Sequence, residues 1–228
     1  MPTTLVTGAT GEIGSAIVRL LAGRGHEVIA LGRDRSRLRL LQEELPGLRP
    51  IAADLRRPEE LEEAVSGIGS LGVLIHCAAI SEVAVVEDAP YSLWHETLTV
   101  NVAAAAELTR LLLPPLRRER GHIVFINASP GLRAVAGWST FVASKVALRE
   151  LADSLREEED PNGIRVTTVY PGGTATERLR RVREQFNRPY DPAMEMSPAS
   201  VAHMVGMVLE TPDDLQIIEL SCIRAPRG

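Results

Sequence analysis

The chain has 228 residues, 45% of them hydrophobic and 24% charged, which excludes a disordered, collagen-like or membrane-spanning protein and fits one globular domain. Its 25 Lys and Arg against 30 Asp and Glu give a formal net charge of −5, so no chain-wide basic field exists to hold nucleic acid. Cys77 and Cys222 have neither the spacing of a zinc or redox site nor the number of a disulfide framework, and a reducing cytoplasm is expected.

The chain runs from Met1 into Thr4-Leu5-Val6 without the charged and apolar regions of a secretion signal. Short apolar runs then alternate with segments of helical period, the pattern of a parallel sheet wrapped by helices. Strands are expected at 4–7, 27–31, 49–53, 72–76, 122–127, 165–170 and 216–221, mostly Val/Ile/Leu-rich without alternation, as strands buried on both faces should be. Helices are expected at 13–24, 35–45, 59–65, 92–112, 140–159 and 198–209, with Pro58 and Pro198 at first-turn positions. The longest apolar stretch, 100–116, is broken by Asn101, Glu107, Arg110 and Pro114-Pro115, too polar and short to span a bilayer. No repeat or linker divides the chain, so residues 1–228 are read as one α/β domain, a Rossmann-type doubly wound parallel sheet of about seven strands with helices on both faces. Segment 177–197 interrupts the alternation with Arg178, Arg180, Arg181, Arg183 and Arg188, and is expected either to cover a bound substrate as a lid or to be a solvated basic helix.

Thr7-Gly8-Ala9-Thr10-Gly11-Glu12-Ile13-Gly14 follows the first strand and opens the first helix. Gly8 permits close approach of backbone to a ligand, the helix N-terminus presents free amides to a diphosphate, and Gly14 lets helix pack on strand. Further along stand Ala53-Asp54-Leu55, His76-Cys77-Ala78-Ala79, Asn101, Ser144-Lys145 and Pro171-Gly172. In these motifs and their order the chain resembles the short-chain dehydrogenase/reductase family over essentially its whole length.

The resemblance implies a nicotinamide dinucleotide across the carboxyl ends of the strands. It would be held by the turn Thr7, Gly8, Thr10, Gly11, Glu12, Ile13 and Gly14, with Glu12 standing where the family's commonest pattern has its middle glycine. Asp54 and Leu55 would flank the adenine, and Cys77, Ala78 and Ala79 would lie along the cofactor, Ala78 lining the adenosine ribose. Lys145 would bind the nicotinamide ribose. Pro171, Gly172 and Thr174 lead to Thr176, which would bond the carboxamide and diphosphate. At the end of the second strand, Gly32 takes the position of an acid that would bond a free ribose hydroxyl, and Arg33 follows, a planar cation suited to a 2′-phosphate. NADP(H) is therefore expected over NAD(H).

Carbonyl reduction needs a proton as well as a hydride. The family supplies it from a tyrosine four residues before the lysine, with a serine polarising the carbonyl and an asparagine anchoring a water. The resemblance gives Lys145 and Asn101 their roles, but the tyrosine position holds Phe141 and the serine position Ala128, whose interval to Phe141 matches the family's spacing. Ser129 is one residue out of place and a possible surrogate; Ser139, Tyr170, Tyr190, water or a substrate hydroxyl are the others. The histidines show no metal-ligand pattern, so no metal is expected.

Two functions compete: an oxidoreductase reducing a small hydrophobic or aromatic carbonyl compound with a non-standard proton donor, and a catalytically silent NADP(H)-binding homologue acting as sensor or structural subunit. Non-redox lyase, isomerase or cyclase chemistry is a distant third. A homodimer or homotetramer through the helices at 92–112 and 140–159 is expected from the resemblance, with a small-molecule substrate and no nucleic-acid or membrane partner.

Overall fold

The computed structural model describes residues 2–128 and 135–226. Seven strands, β1 (Thr3–Thr7), β2 (Glu27–Gly32), β3 (Arg49–Ala52), β4 (Val73–His76), β5 (His122–Ile126), β6 (Arg165–Pro171) and β7 (Glu219–Cys222), form one sheet in the order β3-β2-β1-β4-β5-β6-β7. Every pairing is parallel, with Leu5 opposite Ile29 on one side and Leu74 on the other.

Period-two alternation sends successive strand residues into two cores. Leu5, Ile29, Leu31, Leu74, Ile123 and Phe125 face α3 (Leu61–Val65), α5 (Ala104–Glu119) and α6 (Ser139–Glu159). Val6, Val28, Ala30, Ile75 and Val124 face α1 (Glu12–Gly23), α2 (Arg35–Glu44) and α8 (Pro198–Leu209). A strand buried on both faces has no polar side to display, which is why these runs read as continuously apolar.

Three elements differ from the sequence expectation by more than one residue. The helix expected over 92–112 is α4 (Tyr91–Leu98), a π-turn at Thr99–Ala103, and then α5, which continues past Pro114 and Pro115 to Glu119. Proline removes an amide donor and normally stops a helix, but Leu108, Leu112, Pro115 and Leu116 are buried on one stripe and hold the turn together. The helix ends instead at left-handed Arg120 (φ 49°) before Gly121. The last strand starts at Glu219 rather than 216, because Ile217 and Ile218 turn their carbonyls to the Thr167 hydroxyl and Thr168 amide before the ladder begins. Residues 59–65 divide into a 3-10 turn at Pro58–Glu60 and the short α3. Segment 177–197 contains α7 (Glu177–Gln185) and a 3-10 turn at Pro192–Met194. Among the described residues no helix is long and apolar enough to cross a membrane.

Candidate active site

Strand order reverses between β1 and β4, and the loops leaving those strands meet there, where an open α/β sheet forms its ligand crevice. Thr7 joins them: its hydroxyl accepts from the amides of Cys77 (3.0 Å) and Ala78 (3.2 Å). Gly8 has φ +65°, and a β-carbon on it would stand 2.8 Å from the Ala78 Cα; on Gly14 one would stand 2.1 Å from the Gly8 carbonyl oxygen. A side chain at Gly8 would push the turn off Ala78, and one at Gly14 would push α1 off the turn. Gly11 caps α1 without a side-chain hydrogen bond, which leaves first-turn amides for an external acceptor. Ile13 follows in that first turn, and Thr10 packs beside Gly32, where a β-carbon would meet its side chain at 3.1 Å.

Loop 77–80 is the hub of the site. Beyond its bonds to Thr7, the Ala79 carbonyl accepts from Arg178 Nη1 at 3.4 Å, and Ile80 is bonded through both its amide (2.8 Å) and carbonyl (3.0 Å) to the Asn101 side chain. Asn101, buried at the π-turn, also donates to the Ser144 hydroxyl at 2.9 Å, and Ser144 in turn donates to the Phe141 carbonyl at 2.7 Å. The side chain of Asn101 is thus a brace between the loop and α6. Thr7, Leu55, Ala78 and Asn101 line one small hollow beneath this point.

Lys145 and Phe141 sit one turn apart on α6 and are both buried. The ammonium donates to the Ile126 carbonyl at 3.1 Å and lies 5.7 Å from the Phe141 ring centroid. Burial, helped by the nearby Arg178 charge, lowers its pKa to about 7. Burial likewise raises the Cys77 thiol to about 11 and lowers His76 to about 3. His76 bonds Thr109 and stacks on Phe125, as a packed residue. Ala128 is half-buried after β5, its amide bonded to the Asn127 side chain at 2.8 Å. Ser129 lies outside the described residues.

On the adenosine side, Arg33 is exposed, and no ion pair among the described residues involves it. The Asp34 carboxylate is engaged by the amides of Ser36 and Arg37 as the cap of α2, so it is turned from the end of β2. Asp54 similarly accepts from the Arg56 amide, closing its own turn. Pro171 ends β6, the Gly172 amide bonds the Cys222 carbonyl, and the Thr174 hydroxyl bonds the Gly172 carbonyl. Thr176 caps α7: its hydroxyl accepts from Leu179 and donates to Thr174.

Sequence reasoning missed three contacts made by α7 and the residue that ends it. Arg178 lies over the Phe141 ring at 5.5 Å, Phe186 meets Trp138 edge-on at 6.1 Å, and the Glu12 carboxylate accepts from the Glu177 amide at 2.9 Å. The only signal in the sequence was the density of arginines after Thr176. Of the alternative proton donors, the Tyr170 hydroxyl donates to Glu219 at 3.1 Å and burial pushes its pKa up. The Tyr190 hydroxyl bonds the Thr176 carbonyl at 3.5 Å, and the Ser139 hydroxyl is buried without a partner among the described residues.

A family model for short chain dehydrogenase matches residues 2–187. The NADP-dependent 3-hydroxy acid dehydrogenase YdfG of Salmonella typhi is 29% identical over 93% of this chain and 91% of its own. The crystal structure of serine dehydrogenase from Escherichia coli superposes with a TM-score of 0.84 at 26% identity, covering 97% of both chains. A metagenomic short-chain oxidoreductase in complex with NADP gives 0.83 at 26% identity over 96% of both chains. With its glycine turn, sheet order and match over most of its length, the chain belongs to the short-chain dehydrogenase family.

Proposed function

We propose that this chain is an NADP(H)-dependent oxidoreductase that reduces a small hydrophobic or aromatic carbonyl compound, using a proton donor other than the usual tyrosine. The observation that carries this reading is the buried Lys145 ammonium, close to Cys77 of loop 77–80 and to Arg178 of α7. Among the described residues the Lys145 ammonium has one hydrogen bond, to the Ile126 carbonyl, and the Phe141 ring nearby, which offset little of so costly a burial.

The residues present fit the dinucleotide. First-turn amides of α1 suit its diphosphate, the approaches at Gly8 and Gly14 keep the backbone close, and exposed Arg33 suits a 2′-phosphate while Asp34 is engaged elsewhere. The NADP dependence of the YdfG relative agrees with that choice. When bound, the nicotinamide supplies hydride to the carbonyl carbon. Lys145 would hold the cofactor through the nicotinamide ribose, Phe141 and Trp138 present an aromatic wall for an apolar substrate body, and α7 with residues up to 197 covers the crevice as a lid. The candidate hydroxyls for the proton are Tyr190, which bonds the Thr176 carbonyl, and Ser139, which is buried without a partner among the described residues.

Phe141 and Ala128, in the tyrosine and serine positions, favour a second reading: a silent NADP(H)-binding homologue. A positioned acid contributes roughly 10²–10⁴ in rate. Purified protein mixed with NADPH and a panel of ketones, quinones and oxo acids is expected to consume NADPH slowly, and the Phe141→Tyr/Ala128→Ser double variant roughly 10²-fold faster or more. NADPH binding with no turnover by either protein would favour the silent homologue.

A further inference from the structure

Two cations meet at the mouth of the crevice. Arg178 reaches from the first turn of α7 until its guanidinium carbon stands 5.5 Å from the Phe141 ring centroid, and the Lys145 ammonium stands 5.7 Å from the same centroid. Each donates to one backbone carbonyl among the described residues: Arg178 to Ala79 at 3.4 Å and Lys145 to Ile126 at 3.1 Å. Arg178 is unlike its neighbours on the helix. Arg180 pairs with Glu177 and Glu184, Arg181 with Glu177, and Arg183 with Glu195. No ion pair among the described residues involves Arg178 or Lys145. Residues 129–134, outside the described residues, are Ser-Pro-Gly-Leu-Arg-Ala and contain no acid.

Like charges placed together in a crowded site, with no counter-ion, raise each other's energy. Desolvation of its guanidinium holds Arg178 below the usual arginine value, and desolvation together with the Arg178 charge lowers Lys145. At the adjoining start of α6, Trp138 Nε1 and the Ser139 hydroxyl are buried without a partner among the described residues. Everything unmatched here can donate a hydrogen bond. An acceptor carrying negative charge would match these donors, and a guanidinium over an aromatic face receives a carboxylate through two parallel N–H bonds.

We propose that the substrate of this crevice carries a carboxylate, received by the Arg178 guanidinium within the field of Lys145, so that the carbonyl compound is an oxo acid whose apolar part lies on Phe141 and Trp138. This rests on the carbonyl-reducing reading above and specifies its substrate class.

The chain has two tryptophans, so Trp94→Phe leaves Trp138, whose ring is 5.1 Å from that of Phe141, as the only indole reporter. In that background, acetoacetate and uncharged butanone are titrated against the protein, both free and saturated with NADP⁺, while calorimetry measures NADP⁺ affinity separately. Acetoacetate is expected to change Trp138 emission saturably in the NADP⁺-loaded protein, at least ~10-fold more tightly than butanone. Arg178→Met should weaken acetoacetate about 10-fold or more, Arg178→Lys should restore part of it, and NADP⁺ affinity should stay within about twofold. Equal binding of the two probes, or no acetoacetate binding in either form, overturns the proposal. So does displacement of acetoacetate by NADP⁺, or loss of NADP⁺ affinity in Arg178→Met with acetoacetate binding intact, since Arg178 would then serve the cofactor diphosphate. Arg178-dependent acetoacetate binding by a protein that does not bind NADP⁺ upholds the carboxylate site and defeats the oxidoreductase reading alone.

Discussion

Lys145 carries a large electrostatic cost in the crevice. The groups facing it are Cys77 from the loop after β4, Arg178 from α7 and the Phe141 ring on its own helix. Its pKa falls from 10.5 to about 7 on folding. The unfolded chain therefore keeps a proton between about pH 7 and 10.5 that the folded chain has released, and stability rises with pH across that window. Below pH 7 both states are protonated and the full cost of the buried ammonium is present. In cofactor-free protein, the urea midpoint of Lys145→Met relative to the unsubstituted chain should be most favourable at pH 6–7, and the difference should shift toward the unsubstituted chain as pH approaches 10. A difference independent of pH would refute the assignment. At this scale the sequence made Lys145 and Phe141 recognisable by their spacing, but the lowered pKa depends on surroundings brought from β4 and α7.

Among the elements, the π-turn at Thr99–Ala103 has the most consequence. It interrupts what the apolar period presents as one helix, and it sets Asn101 where three hydrogen bonds link α4 and α5, loop 77–80 and α6. Asn101→Ala leaves the buried Ser144 hydroxyl and both polar groups of Ile80 short of partners, and is expected to lower stability by ~2–3 kcal/mol in urea unfolding. NADP⁺ binding should weaken along with it, because the same loop holds Thr7 and Ala78. Unchanged stability would show that the three bonds are replaced by water. Neither the π-turn nor the passage of α5 through Pro114-Pro115 was legible in the chain: local rules place a stop at proline, and the burial of Leu112, Pro115 and Leu116 against the sheet outweighs it.

Across the whole molecule, the two long helices on one face of the sheet are joined at their far ends by a nearly buried acid. Glu159 accepts from Arg117 Nε (2.9 Å) and Nη2 (2.6 Å) and from Asn162 (2.9 Å). The Arg117 guanidinium holds its carboxyl below the ordinary carboxylate range. A depressed carboxylate contributes stability above its unfolded pKa, 4.5, and that contribution is lost as pH falls through the folded value. Arg117→Ala leaves the acid buried with no counter-charge and only the Asn162 hydrogen bond. Because Arg117 is itself half-exposed, the cost is expected at ~2 kcal/mol at pH 7, less than for a fully buried pair, and should shrink toward pH 4. Unfolding midpoints across that range check both the size and the direction.

The sequence by itself determined the layered α/β architecture, since apolar runs of strand length alternating with helical periods can be buried in few other ways. It also determined the glycine turn, where Gly8 and Gly14 stand too close to other backbone for any side chain to fit. The cation pair at the crevice was decided by tertiary structure alone. Phe141 and Arg178 belong to separate elements with β6 between them in the chain, and only the docking of α7 over the start of α6 brings a guanidinium onto that ring. The fate of each arginine in 177–197 was settled in the same way. A side chain's charge is written in the sequence, but whether an acid lies within reach of it depends on how the elements pack.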